Sequence, residues 1–65
     1  RASRGATGER QRLEAERERL FTALTALEAS HRAGSVDPAT YAARRRTLVT
    51  ALERIFAALE EEAAA

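Results

Sequence analysis

The chain has 65 residues, 45% hydrophobic and 32% charged, with eleven arginines, no lysine and a formal net charge of +1. So short a chain makes at most one small domain, and with no cysteine it has no disulfide, no thiol catalysis and no Cys-based zinc site to support a small core. The near-neutral charge argues against a general polyanion binder, and no run of about eighteen apolar residues is present to span a membrane.

Residues 1–8, Arg1 to Gly8, mix Ser, Thr, two glycines and two arginines without an apolar period. They read as a flexible linker. The opening Arg1, with neither an initiator methionine nor a signal peptide, suggests a segment of something longer. Thr7 is the candidate N-cap of a first helix, with Glu9 in its first turn.

From Glu9 to about residue 33 the composition predicts a helix, supported by the i, i+4 pairs Arg10–Glu14, Arg12–Glu16 and Glu28–Arg32. The break falls at Gly34-Ser35-Val36-Asp37-Pro38. Gly34 suits the left-handed position past a helix C-terminus, Asp37 an N-cap, and Pro38 the first helical residue, where a missing N–H costs nothing. A second helix is predicted over 38–62, with Ala63–Ala65 frayed.

Leu13, Leu20, Leu24 and Leu27 fall on a 4-3-4-3-4 spacing, with Arg17 and His31 in its remaining places. Tyr41, Arg45, Leu48, Leu52, Ile55 and Leu59 repeat it. This is the a/d seam of a coiled coil. If the chain folds back at Gly34–Asp37, residues whose numbers sum to 72 face one another: His31 with Tyr41, Leu27 with Arg45, Leu24 with Leu48, Leu20 with Leu52, Arg17 with Ile55 and Leu13 with Leu59. The expected fold is all-α, an antiparallel two-helix hairpin.

Apolar residues remain outside the seam. Ala42, Val49, Phe56 and Ala63 repeat every seven residues, and Phe21 and Ala23 widen the first helix's apolar face. A lone hairpin leaves Phe21, Val49 and Phe56 largely in water. Dimerisation into a four-helix bundle or coiled coil would cover them, as would the remainder of a parent chain or another protein's helix.

Few residues suggest chemistry. Arg44-Arg45-Arg46 could grip phosphates of nucleic acid or a membrane surface. However, a helix spreads the three over about 200°, and no aromatic residue is interleaved to stack on bases. Arg44 and Arg46 read as solvated, with Arg45 covering apolar surface by its methylene stem. Arg17 on the seam either reaches Glu14 or an acidic residue of a partner, Glu60–Glu62 lying near that end, and so fixes register, or it marks a loosely packed open end. His31 has no nearby nucleophile and reads as packing that closes the hairpin. Glu60-Glu61-Glu62 read as solvated carboxylates at a helix end that the dipole disfavours. No catalytic residue, cofactor site or metal site is expected.

The stretch Leu27 to Val49, LEASHRAGSVDPATYAARRRTLV, resembles the short C-terminal domain (SHOCT-like) family of bacterial helical hairpins. Leu27, Gly34, Val36, Asp37, Tyr41, Arg44, Arg45 and Leu48 occupy that family's places, and Val49 stands for its last leucine. His31 departs from the apolar residue usual there, and helix 1 extends further back than the family needs. The resemblance covers about a third of the chain. It implies a C-terminal hairpin mediating oligomerisation or protein contacts, with no catalytic residues, in a bacterial parent.

The expected function is therefore a non-enzymatic association module, a homo-oligomer with a dimer favoured. A hetero-binding adaptor that docks a foreign helix through Phe21, Val49 and Phe56 is the alternative. An arginine-mediated nucleic-acid or membrane-surface binder comes third. Absence of cysteine fits a cytoplasmic location, with attachment to a membrane-anchored parent left open.

Overall fold

The computed structural model describes Ala2–Ala64, with side chains from Gly8 onward. Two helices make up nearly all of it: α1, Ala2–Arg32, and α2, Pro38–Ala64. They pack as an antiparallel hairpin with extents of 49 × 14 × 11 Å and a Cα radius of gyration of 15.0 Å. A globular chain of this length would have a radius of about 11 Å. The hairpin is thus a rod with a single line of contact.

The helical backbone begins at Ala2 rather than Glu9, so Thr7 lies inside α1 rather than at its start. Most of the segment read as a linker therefore continues as helix, and Arg1 lies outside the described residues. Extending an existing helix needs no new nucleus, and the two glycines, at about 1 kcal/mol each, do not stop it. At the other end α2 runs on to Ala64, two residues past the expected limit.

The turn follows from local chemistry. Gly34 has φ 74°, the left-handed conformation that a side chain disfavours. The Ser35 N–H donates to the Ser30 carbonyl and the Gly34 N–H to the His31 carbonyl, both at 3.0 Å. Together they form a Schellman motif that satisfies the last carbonyls of α1. The Ser35 hydroxyl donates to the same Ser30 oxygen at 3.1 Å. Asp37 then starts α2: its Oδ2 accepts the Thr40 N–H at 3.0 Å, and its carbonyl accepts the Tyr41 N–H at 2.9 Å. Pro38 fills the first helical position.

Hydrogen bonds from Thr40, through its hydroxyl and its backbone amide, hold the Asp37 carboxyl below its ordinary pKa. A depressed folded-state value means that the cap's stabilisation is complete above the unfolded carboxylate range of about 4 and is lost as pH falls through the folded value. Asp37→Asn keeps the cap but not the charge. Its thermal midpoint should lie below the parent's at neutral pH and converge with it under acid. Parallel melts at several pH values check this, and a constant gap would contradict it.

Along the seam, Leu27 and Leu52 are buried, at 7% and 5% exposure. Leu13, Leu20, Leu24, Tyr41, Leu48, Ile55 and Leu59 are half-buried. Alternating leucines explain the line of contact, and its narrowness explains why burial stops there.

Candidate association surface

The hairpin presents two broad faces, one on each side of the seam. On the first, Phe21 of α1 and Phe56 of α2 meet across the helix pair, ring centroids 6.2 Å apart and tilted by 55°. They stay 42% and 44% exposed. Val49 is half-buried nearby, while Ala42 and Ala63 are exposed. The heptad Ala42, Val49, Phe56, Ala63 therefore runs the length of α2 beside the seam, with Phe21 propped against its centre.

Toward the turn this face ends in a polar cluster. The Tyr41 hydroxyl donates to Glu28 Oε2 at 2.8 Å, and Arg45 Nε approaches the same oxygen at 3.5 Å. His31 stacks on Tyr41 with centroids 3.8 Å apart and rings 12° from parallel. Glu28 is thus the connecting residue between α1 and α2 at this end. The i, i+4 spacing pairs it with Arg32 instead. The signal that could have found it is its spacing of seven from Phe21, which puts both on the same flank of the seam.

The Glu28 hydrogen bond, reinforced by burial, raises the Tyr41 pKa above its ordinary value. The stabilisation is then fully present below the unfolded pKa of about 10 and is lost as pH rises through the folded value. Tyr41 is the sole tyrosine and the chain has no tryptophan, so tyrosinate absorbance reads this group alone. Its titration midpoint should lie above that of free tyrosine and fall in Glu28→Gln. An unchanged midpoint would remove Glu28 as the cause.

The other expected side-chain pairs also differ in detail. Arg12 pairs with Glu9 at 2.7 Å, and Arg19 pairs with Glu16, each at i, i+3 spacing. Exposed long side chains choose between i±3 and i±4 at little energetic difference. Arg17, half-buried, lines a groove shared with Phe56, Leu59 and Glu60.

The triple arginine is divided by the helix. Arg46 borders the phenylalanine-bearing face beside Val49, Arg45 turns to Glu28, and Arg44 borders the opposite face. That opposite face is a shallow groove near the turn, walled by small side chains including Ala23, Ala26, Ser30 and Thr47. No helix among the described residues is long and apolar enough to cross a membrane, and no group of three His, Cys, Asp or Glu there could hold a metal ion.

The chain matches no protein-family model, no curated protein and no solved structure.

Proposed function

We propose that this hairpin is a non-enzymatic association module that works by joining copies of itself, most simply as a dimer forming a four-helix bundle. One observation carries the reading. Among the described residues only Leu27 and Leu52 are buried, while Phe21 and Phe56 sit side by side at more than 40% exposure on a face that α2 lines with apolar residues every seven positions. Two such faces laid together would bury both rings and add a second layer to a one-line core, which is how short helices usually gain stability.

The resemblance of Leu27–Val49 to the short C-terminal domain family supports the same role, as an appended segment of a larger bacterial protein working in the cytoplasm, free or tethered to a membrane-anchored parent. The reading assigns no catalytic group, cofactor or nucleic-acid contact. Sedimentation equilibrium over a wide concentration range, with helicity followed on the same samples, tests it. A dimer or higher species whose helicity falls on dilution is expected. A fully helical monomer at every concentration would overturn it and leave the same face to a foreign helix.

A further inference from the structure

We propose that the dimer is antiparallel through α2, with its apolar face laid against the same face of a second copy whose turn lies at the opposite end. This rests on the self-association reading and specifies its geometry. The first argument is charge. α2 carries Arg44, Arg45 and Arg46 in its first half and Glu60, Glu61 and Glu62 near its end, with no acidic residue in the first turn and no basic one in the last. The glutamates therefore crowd the end where the helix dipole disfavours negative charge, with no basic residue in that turn to offset them.

α1 does not neutralise this polarity. Beside the acidic end of α2 it offers four glutamates and four arginines between Glu9 and Arg19, and near the turn it offers Glu28 and Arg32. An antiparallel copy of α2 supplies what is missing, because it sets basic halves against acidic ones and opposes the two dipoles. A copy with its turn at the same end would instead place α2 against α1 and its mixed charges.

Register is the second argument. Ala42 and Ala63 sum to 105, as do Val49 and Phe56. A two-fold axis crossing α2 between Leu52 and Glu53 therefore brings the apolar heptad onto itself, small residue on small at both ends and Val49 on Phe56 at the middle. The same axis brings Arg46 opposite Glu60 of the second copy, their numbers summing to 106, both on the flank of the stripe away from the seam. Arg46 is exposed and borders this face beside Val49, while Arg45 stays with Glu28. Glu53 comes near its own copy at the axis, a small cost for exposed carboxylates.

The native chain has no cysteine, which allows a clean cross-linking test at two exposed alanines. Ala42→Cys and Ala63→Cys, mixed and oxidised, should give a disulfide-linked pair. Neither variant alone should, because in this register its own two cysteines lie about 30 Å apart, far beyond disulfide reach. In the same-end arrangement Ala63 would instead face Glu14 of the second copy, at the level set by Phe21 and Phe56. Linkage of Ala63→Cys to Glu14→Cys, with the dimer intact by sedimentation, would overturn the antiparallel geometry and leave self-association standing. A monomer by sedimentation would overturn both.

Discussion

Phe56→Glu is expected to abolish self-association and lower helicity at concentrations where the parent chain is an oligomer. In the isolated hairpin the ring is 44% exposed and touches Phe21, so the loss within one chain is limited to an aromatic contact of about 0.5–1.5 kcal/mol. At a two-copy interface the substitution acts twice. Each copy loses about 2 kcal/mol of apolar burial and places a carboxylate in the apolar stripe. Association should be weakened by at least about a hundredfold in Kd, which is roughly 2.7 kcal/mol. Phe56→Leu keeps the burial and should keep most of the association. If Phe56→Glu sediments as the parent does, the phenylalanine face is not the interface.

Leu52→Ala should have the largest effect on folding itself. Leu52 is the most deeply buried side chain of α2, at 5% exposure, and Leu27 at 7% is its counterpart in α1. Truncating a buried leucine costs about 2–5 kcal/mol. A domain of this length holds only about 3–10 kcal/mol in total, so the change consumes much or all of its stability. Thermal and urea melts followed by circular dichroism should show a largely unfolded chain at room temperature. Leu13→Ala, at the half-buried open end, removes the same atoms and should lower the midpoint far less. Equal losses at the two positions would mean that the seam is not graded from centre to end.

The parts of this structure that are readable from sequence are those set by local chemistry or by period. Gly34, Asp37 and Pro38 each have a conformational reason to stand where they do, and the turn follows from them. The leucine spacing fixes which sides of the helices meet, and the sum of 72 places His31 opposite Tyr41, where the rings stack. The contact between Phe21 and Phe56 was not readable in the same way. Their numbers sum to 77, a pairing across the flank that depends on how far two long side chains lean over the seam. Spacing alone pairs Glu28 with Arg32, because an i, i+4 partner on its own helix competes on paper with a partner on the other helix. In the folded hairpin Tyr41 and Arg45 supply donors from the facing helix, and Glu28 turns to them. α1 begins earlier than composition predicts, because composition reports the preference of each residue, whereas helix elongation depends on the turn already formed.

The turn has a further consequence for topology. Counting on from Leu27 and His31, the seam spacing continues unbroken through Gly34 and Pro38 to Tyr41, Arg45 and Leu48. The repeat therefore never changes phase, and the leucines would serve equally well in one uninterrupted helix about 95 Å long, wound around another molecule rather than around its own second half. Nothing in the seam chooses between those two shapes. That choice is concentrated in five residues, where a left-handed glycine bends the chain back and a proline, with the aspartate before it, prevents the helix from running straight through.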